Sequence, residues 1–278
     1  MPPPVYADPE RADAFNAFNE IRAAAGLGLL RQNAQLDVAA QGHSNYIDVN
    51  RDFGSHLQDP ARPGFTGIDW NARTAAAGYP QNGYVAEVIG AGGADAQSRP
   101  FTARRHVHEL MATPYHRRAM LQREPSDIGV GWANQFRSNL VVDFANTATN
   151  RQGAPGQLVT VWPADGATGL LTSGCCEAPD PMPELKGQRW GYPVSIQASE
   201  RCRLTVTSFQ LRDASGADVP LKLLTYATDP NRLYLGEFFA ALMPLALLKA
   251  TTRYTASFSG QACDLPVVKT WSFTTGAI

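Results

Sequence analysis

The sequence predicts a protein of the α+β class, with an N-terminal three-layer α/β/α domain over residues 8–162 and an all-β sandwich over residues 163–278. Three observations predict this. The chain has 278 residues, 44% of them hydrophobic, which is enough for two buried cores. Helical patterns alternate with short apolar runs up to Trp162, and period-two alternation follows. All five histidines precede residue 117 and all four cysteines follow residue 174, so the two parts differ in chemistry.

Four helices are predicted in the first part from the residues at their ends. The first begins at Asp8 and Pro9, because Asp8 is a good N-cap and proline suits the first helical position, and it ends at Gly26. Asn33 opens the second helix. The other two run from Asp69 to Ala77, closed by Gly78, and from near Thr102, with a break at Pro114.

Short apolar runs between and after these helices are predicted to be strands. They are rich in β-branched and aromatic residues, which favour extended backbone. The predicted strands are Tyr84–Ile89, Ile128–Trp132, Leu140–Phe144 and Leu158–Trp162.

The second part begins with a Pro- and Gly-rich stretch, residues 163–195, which is predicted to be a loop-rich opening segment. Beyond it, apolar and polar residues alternate in three segments, 202–211, 254–258 and 263–273, which predicts strands. The alternation changes phase between Val206 and Phe209, as a β-bulge would cause. The composition of Asp213 to Asp218 is typical of a hairpin turn.

Charge and hydropathy exclude two classes of partner. With 24 Lys and Arg against 25 Asp and Glu, the chain lacks the basic excess of a nucleic-acid-binding protein. The longest apolar run, Phe238–Leu248, contains Pro244 and is too short for a transmembrane helix, which needs about 20 residues. One arginine cluster is predicted to be a solvated helix face, with an anionic ligand as the alternative: Arg104, Arg105, Arg117, Arg118 and Arg123.

The first residues, Met1 to Val5, have neither the basic nor the apolar region of a signal peptide. Either the protein is cytosolic or a leader has been removed. The four cysteines favour the second alternative, because disulfides persist mainly outside the cytosol. We therefore expect a secreted, periplasmic or extracellular protein.

The candidate chemistry lies in a block of histidines and acids in the first part. Imidazoles with a carboxylate suit a divalent metal ion or acid–base catalysis. The block is not a zinc-protease motif, because Ala112 follows His108 and Glu109 where that motif needs a second histidine. His106 and His108 point to different sides of their helix and are predicted to be structural residues at the surface. No nucleophile elbow and no phosphate-binding loop is present.

A series of short motifs runs in order from about residue 10 to residue 162. These motifs are Asn19-x-x-Arg22, Gly26-Leu27, Leu30, Asn33, Leu36, Ala39 to Ser44, Ser55-His56, Arg73, Gly78-Tyr79, Glu87, Pro114-x-His116-Arg117, Met120-Leu121 and Ile128-Gly129-Val130-Gly131. Together they resemble the bacterial branch of the CAP superfamily, which comprises the cysteine-rich secretory (SCP-like) proteins, antigen 5 and the plant pathogenesis-related proteins. The resemblance implies a secreted α/β/α sandwich with a large cleft, centred on two histidines and two acidic residues that can hold a divalent cation such as zinc.

Carried over by position, the resemblance implies that His56, Glu87 and His116 are cleft residues, metal ligands and candidate catalytic residues. The fourth member is open, because Thr113 stands at the simplest aligned position and Glu109 lies one turn earlier. A His2Glu set would suit zinc with water as the fourth ligand. In the alternative reading, His56 and His116 are structural residues with Glu87 as their hydrogen-bond acceptor.

His43 is a further candidate for the cleft. It lies on the same helical face as Leu36 and Ile47, so it is predicted to be a core or cleft-wall residue rather than a ligand. Burying a neutral histidine requires a partner for each ring nitrogen, and a missing partner costs about 1–3 kcal/mol.

The four cysteines permit three disulfide pairings. One pairing joins Cys202 to Cys263 and leaves a vicinal bridge between Cys175 and Cys176. In the alternative, Cys175 and Cys176 each pair with Cys202 or Cys263. Metal binding by these cysteines is not expected, because the Cys-x-x-Cys spacing is absent.

The closing segments of the second part resemble bacterial immunoglobulin-like domains. The residues that carry this resemblance are Pro163 to Thr168, Thr252 to Thr255 and Trp271 to Gly276. The resemblance implies a fold and no activity.

These features lead to one preferred hypothesis and two alternatives. The preferred one is a secreted bacterial CAP protein whose cleft binds a small apolar or amphiphilic ligand, such as a lipid or sterol, and a divalent cation, with Phe15, Phe18, Ile47 and Tyr79 available as cleft walls. The first alternative is a peptidase or esterase that uses a metal-bound or Glu87-activated water. The second is a cell-envelope interaction or adhesion module.

Overall fold

The computed structural model of the chain describes residues 4–94, 98–152 and 156–277. The chain divides into two compact units. Unit 1 contains residues 1–23, 27–110 and 123–154, and unit 2 contains residues 24–26, 111–122 and 155–278. The segment 111–122 therefore packs with the C-terminal part of the chain. The predicted boundary between residues 162 and 163 stays a prediction.

Unit 1 is a mixed α/β unit, as the sequence predicts. Its elements, in chain order, are α1 (Pro9–Ala24), β1 (Arg31–Gln32), α2 (Ala34–Asn50), α3 (Trp70–Ala76), β2 (Val85–Ala91), α4 (Ala103–Leu110), β3 (Asp127–Ala133) and β4 (Asn139–Ala145).

The predicted starts of α2 and α3, at Asn33 and Asp69, are confirmed, and both residues are N-caps. The Asn33 side chain accepts hydrogen bonds from the backbone amides of Gln35 and Leu36, and the Asp69 side chain accepts one from that of Ala72. These bonds satisfy amide groups that have no partner within the helix. The starts of the two helices are therefore set by the side chains of Asn33 and Asp69. The loop that carries His56 lies between these helices.

The strands of unit 1 form one sheet in the order β1, β3, β4, β2. β1 is parallel to β3, and the other two pairs are antiparallel. Helix α2 packs against β3 and β4, and α4 packs against β2 and β4. Glu87 of β2 and Asp143 of β4 stand directly opposite each other in this register.

Two glycines of β3 allow α2 to approach the sheet closely. A Cβ atom at Gly129 would overlap the backbone of Leu36, and one at Gly131 would overlap the backbone of Ala40. Leu36 and Ala40 are themselves fully buried. The helix that carries His43 is therefore held at a distance that only glycine permits on the facing strand.

Unit 2 contains the helix that begins at Pro114, where the sequence predicts a break, and the strands of the C-terminal part. In chain order its elements are α5 (Pro114–Met120), β5 (Val159–Trp162), β6 (Ser173–Gly174), a 3₁₀ turn (Pro183–Leu185), β7 (Trp190–Gly191), β8 (Val194–Ala198), β9 (Leu204–Arg212), β10 (Leu221–Leu224), α6 (Arg232–Leu235), β11 (Phe239–Pro244), β12 (Arg253–Ala262) and β13 (Leu265–Thr274).

The described strands of unit 2 form a four-stranded sheet (β10, β11, β8, β5), a three-stranded sheet (β13, β12, β9) and a two-stranded ribbon (β6, β7). All the pairings are antiparallel. The register between β9 and β12 shifts at Ser259 and Gly260, which confirms the predicted bulge. The turn predicted from Asp213 to Asp218 is also present, because the Asp213 backbone amide donates to the Ala217 carbonyl.

The structure joins Cys202 to Cys263 and Cys175 to Cys176. Both bridges belong to unit 2. Among the described residues, no helix is long and apolar enough to cross a membrane.

The close packing of α2 on β3 gives a first prediction. We expect Gly129→Ala to lower the free energy of unfolding by about 1–3 kcal/mol, because the new methyl group meets the backbone of α2, which cannot rotate away as a side chain could. Urea denaturation of the full chain measures the change. Gly156→Ala is the control, because a Cβ atom there meets no atom of the described residues within 4 Å, and an equal loss in both variants would contradict the packing argument.

Candidate functional site

A histidine–carboxylate pair lies in unit 1. His56 belongs to the loop between α2 and α3, and Glu87 lies in the middle of β2. The His56 Nδ1 atom is 2.8 Å from Glu87 Oε1. The carboxylate is fully buried, whereas 36% of the His56 side chain is exposed. The two residues predicted as cleft members are therefore in direct contact, one beneath the surface and one at it.

Arg73 of α3 binds the other oxygen of the same carboxylate. Its Nη2 atom donates to Glu87 Oε2 over 2.7 Å and to the carbonyl oxygen of His56 over 3.1 Å. Both side chains of this ion pair have no exposed surface. Arg73 therefore fixes the carboxylate and the backbone of the His56 loop with one guanidinium group.

A second carboxyl group, that of Asp143, lies opposite Glu87 on the neighbouring strand. Burial, followed by the negative charge of Glu87, raises the pKa of Asp143 well above its ordinary value and favours its protonated form. Burial would also raise the pKa of Glu87, but the hydrogen bond with His56 and the positive charge of Arg73 outweigh it and lower that pKa. The two pKa values therefore shift in opposite directions, which favours the ionised form of Glu87 and the protonated form of Asp143.

His43 of α2 is fully buried beside this pair, and both of its ring nitrogens are bound. Nε2 donates to the Ser55 carbonyl over 3.0 Å, and Nδ1 accepts from the Gln58 amide nitrogen at 2.9 Å. The Gln58 amide oxygen accepts from the Thr66 backbone, which fixes its orientation. Burial lowers the pKa of His43 to about 4. His43 is therefore a neutral structural histidine that supports the His56 loop.

The outer nitrogen of His56, Nε2, makes no hydrogen bond with any described residue. The tautomer in which Nδ1 donates to Glu87 has an acceptor lone pair at Nε2. The edge of the ring faces Trp70, with the ring centroids 5.9 Å apart. Leu57, the next residue in the chain, and Ile68, whose carbonyl accepts from the Gln58 amide, have 57% and 55% of their surface exposed.

His116 lies in unit 2, on α5, and there it pairs with Glu177. Glu177 Oε1 is 2.9 Å from His116 Nδ1 and accepts hydrogen bonds from the backbone amides of Tyr115 and His116. The Glu177 side chain is fully buried. Its other oxygen, Oε2, has no hydrogen-bond partner among the residues that the structure describes.

The neighbours of His116 on α5 are also bound within unit 2. The Tyr115 hydroxyl donates to Asp229 over 2.9 Å. Arg117 is fully buried and donates to the carbonyl oxygens of Met111 and Pro193. The expectation that Arg117 belongs to a solvated helix face is therefore wrong, because the apolar side of this short helix packs inward together with its arginine.

The remaining candidates lie elsewhere in unit 1. Glu109 pairs with Arg105 on α4, an i,i+4 ion pair with 2.6 Å between charged atoms. His106 is buried and its Nε2 lies 3.0 Å from the Ser138 hydroxyl, so the expectation of a surface position is wrong. Burial lowers the pKa of His106 to about 4.

The residues expected as cleft walls lie in the core of unit 1. Phe15, Phe18, Ile47 and Tyr79 have at most 4% of their surface exposed. Two cavities, of about 780 Å³ and 560 Å³, are lined by other residues and include neither His56 nor Glu87. The aromatic residue that contacts the His56 ring is Trp70, and exposed Leu57 and Ile68 belong to the same loop.

Metal binding can be tested on the donor atoms themselves. Within unit 1, both Glu87 oxygens and both His43 nitrogens are bound to other groups. Nε2 of His56 and the two buried carboxyl oxygens of Asp143, whose protonated form is favoured, are the atoms of this cluster without a hydrogen-bond partner among the described residues. No group of three or more His, Cys, Asp or Glu among the described residues is placed to hold a metal ion. The residues as arranged do not fit a resident metal, and the zinc set of His56, Glu87 and His116 stays a prediction.

Sequence reasoning missed Asp143 and Glu177 and gave Arg73 no role. Asp143 could have been found from the strand pattern, because an acid in a run of apolar strand residues is a buried charge that needs an explanation. Glu177 offered no such signal, because it lies in an irregular segment whose partner is distant in sequence.

Residues 15–144 match the model of the cysteine-rich secretory protein family, CAP. The chain therefore contains a CAP domain, which confirms the resemblance over its N-terminal part. No curated protein matches the chain.

Three solved structures similar to this chain have sequence identities of 17%, 20% and 18% to it over about half of its length. An outer surface protein from Borrelia burgdorferi has 17% identity and a TM-score of 0.41, over 51% of this chain and 96% of its own. An extracellular protein containing an SCP domain from Bacillus anthracis has 20% identity and a TM-score of 0.40, over 52% of this chain and 45% of its own. A cysteine-rich secretory protein from Staphylococcus aureus has 18% identity and a TM-score of 0.34, over 51% and 40%. The match thus spans less than half of the last two proteins.

The buried ion pair gives a second prediction. We expect Arg73→Met to lower the free energy of unfolding by about 3–5 kcal/mol, because it leaves the Glu87 charge buried without its partner. The double variant Arg73→Met/Glu87→Gln removes both charges and should recover part of that loss. Urea denaturation compares the two variants, and a double variant less stable than Arg73→Met would contradict the charge argument.

The buried histidines give a third prediction, on acid stability. His43 and His106 have pKa values near 4 in the folded chain and near 6.5 when unfolded, so the unfolded state binds more protons between these values. Stability should therefore be complete above pH 6.5 and fall towards pH 4, by up to about 3 kcal/mol for each histidine. Urea unfolding at pH 7, 5.5 and 4.5 measures this slope, which should be shallower in the variant His43→Gln/His106→Gln. An unchanged slope would contradict the assignment.

Proposed function

We propose that the CAP domain of this chain binds a small amphiphilic molecule whose hydroxyl head donates a hydrogen bond to Nε2 of His56. One observation carries the proposal. The contacts from Arg73 through Glu87 to His56 leave an oriented acceptor at the surface, on a ring that contacts Trp70 and in a loop that exposes Leu57 and Ile68. Lipid alcohols and sterols have this combination of one polar head and an apolar body.

The polar half of the proposed site depends on the tautomer of His56. Ionised Glu87 accepts a hydrogen bond from Nδ1, so in the uncharged tautomer that we propose for ligand binding Nδ1 carries the proton and Nε2 is an acceptor. An acceptor of fixed orientation favours a ligand that donates, such as an alcohol, over one that only accepts, such as an ether. The chemistry of the ligand head follows from this preference.

The apolar half consists of Leu57, Ile68 and Trp70. The backbone amide of Gln58 donates to the Ile68 carbonyl over 3.0 Å, which brings the backbone that follows Leu57 next to Ile68 within the loop. Exposed apolar side chains grouped next to one oriented polar atom are typical of small-molecule sites. Covering Leu57 and Ile68 would supply most of the binding free energy, because each exposes more than half of its surface.

We also propose that the protein works outside the cytosol and that unit 2 is an immunoglobulin-like sandwich. The two disulfides support the first part, because such bonds persist in oxidising compartments. The four-stranded and three-stranded antiparallel sheets support the second. Neither proposal assigns an activity to unit 2.

A hydrolase is the second candidate, and the His56–Glu87 pair itself favours it. A histidine whose Nδ1 is held by a buried carboxylate has the arrangement of a general base, with Nε2 free to take a proton from water. Release of acid from a long-chain ester by the wild type, lost in His56→Phe, would support this candidate.

Ligand binding is the fourth prediction. Dodecan-1-ol and 1-methoxydodecane have similar apolar chains, but only the alcohol donates a hydrogen bond. We expect the wild type to bind the alcohol about 3- to 10-fold more tightly than the ether, as one hydrogen bond provides. His56→Phe keeps an aromatic ring but no acceptor, so it should bind both compounds equally. Competition against a fluorescent long-chain alcohol measures all four affinities.

The apolar half is tested separately. Leu57→Ser/Ile68→Ser should weaken alcohol and ether alike by at least about tenfold, because the lost apolar contacts are common to both. Leu29→Ser is the matched control, since Leu29 is also an exposed leucine of unit 1, at 41%. Wild-type affinity in Leu57→Ser/Ile68→Ser, or no difference between alcohol and ether in the wild type, would contradict the proposal.

A further inference from the structure

Unit 2 contains a disulfide between neighbouring residues, Cys175 and Cys176. Cys175 is half-buried, whereas Cys176 is exposed. Cys176 has a φ of 68°, in the left-handed region that residues with a side chain rarely adopt. The bridge closes a small ring that includes the peptide bond between the two cysteines, and so it restricts the backbone that leads directly into Glu177.

Glu177 is held in an unusual state. Its carboxylate is fully buried, and Oε1 accepts from the amides of Tyr115 and His116 and contacts the His116 ring. Oε2 has no hydrogen-bond partner among the described residues. A buried carboxylate with only one oxygen bound is costly, so its position depends on the backbone that carries it.

We propose that Cys175 and Cys176 are a redox-reactive pair, reduced by a dithiol, and that their bridge holds Glu177 on the first turn of α5. Opening the bridge frees Cys176 to leave the left-handed region and lets Glu177 withdraw from Tyr115 and His116. The oxidation state of the pair thus controls the first turn of α5 and the hydrogen bonding of His116. This proposal involves only unit 2 and does not depend on the ligand proposed for His56.

The reaction is an ordinary thiol–disulfide exchange. A thiolate of the dithiol attacks Sγ of Cys176, the exposed member, and the bond between the two cysteines breaks. Cys175 leaves as a thiolate and takes up a proton. The second thiol of the reagent then displaces Cys176, which also takes up a proton. The pair gains two electrons and two protons, and the reagent becomes a disulfide.

The direction of attack follows from Arg189. Its Nη1 atom lies 3.0 Å from Sγ of Cys175, and its Nε donates to the Ser173 hydroxyl over 2.9 Å. A guanidinium group beside a sulfur stabilises the thiolate that forms there. Cys175 is therefore the better leaving group, and exposed Cys176 is the sulfur attacked.

The fifth prediction is that reduction loosens the first turn of α5. The oxidised full chain is treated with dithiothreitol, the free thiols are alkylated, and mass spectrometry identifies which cysteines were reduced. Hydrogen exchange is then followed at the amides of Tyr115 and His116. We expect exchange at both amides to become about tenfold faster once Cys175 and Cys176 are alkylated, because the Glu177 cap is lost.

Two paired variants separate the two bridges. Cys175→Ser/Cys176→Ser should show the fast exchange without any reductant. Cys202→Ser/Cys263→Ser keeps the vicinal pair and should exchange slowly until dithiothreitol is added. If the second variant fails to fold, the first still tests the proposal. Arg189→Gln should slow reduction of the pair by about 3- to 10-fold.

Three results would overturn the proposal. The first is slow exchange at Tyr115 and His116 in chains whose Cys175 and Cys176 are alkylated. The second is slow exchange in Cys175→Ser/Cys176→Ser. The third is a vicinal pair that remains oxidised in excess dithiothreitol while Cys202 and Cys263 are alkylated.

Discussion

The buried ion pair between Arg73 and Glu87 is the interaction on which the candidate site depends. Removing two charges from water is expensive, and the cost is offset only when Coulomb attraction and hydrogen bonds satisfy both groups. Here Arg73 binds Glu87 and the carbonyl oxygen of His56, while Glu87 binds the His56 ring. Helix α3, strand β2 and the loop that carries His56 are therefore tied by one set of contacts, and none of them can move without exposing a buried charge.

The buried positive charge of Arg73 is balanced by the negative charge of Glu87. Arg73 and ionised Glu87 cancel, His43 is neutral because burial lowers its pKa, and burial together with Glu87 keeps a proton on Asp143. His56 is the member of the cluster that reaches the surface. The ligand head that we propose, a neutral group that donates a hydrogen bond, would add no charge beside these buried groups.

Much of the fold could be predicted from the sequence because its signals are local. Asn33 and Asp69 begin helices through their own side chains, and the bulge between β9 and β12 is visible in the alternation of one strand. The position of Gly129 against α2 could not be predicted in this way, because a glycine in a strand does not reveal which element approaches it. The type and order of elements thus follow from short-range chemistry, and the close approaches between them do not.

The site was predictable only in part for the same reason. His56 and Glu87 were found through motifs, but their roles depend on Arg73 and on the strand register that places Asp143 opposite Glu87. His106 was predicted to lie at the surface because its neighbours on α4 are charged. Its ring is buried, because it lies on the same face of the helix as Ala103, Val107 and Leu110.

The two histidine–carboxylate pairs of this chain differ in the contacts that hold the carboxylate in place. In the first pair, Arg73 binds the second oxygen of Glu87, so the carboxylate is satisfied and the imidazole it orients is fixed. In the second, Glu177 has no such partner for Oε2 within the described residues, and the residue before it is a bridged cysteine with left-handed backbone. Both carboxylates are bound by noncovalent contacts, by an ion pair in unit 1 and by backbone amides in unit 2, and in unit 2 we propose the adjacent disulfide as a further constraint. A carboxylate held by an ion pair is suited to a permanent role in binding, and one held by a disulfide is suited to a role that changes with the redox state of its surroundings.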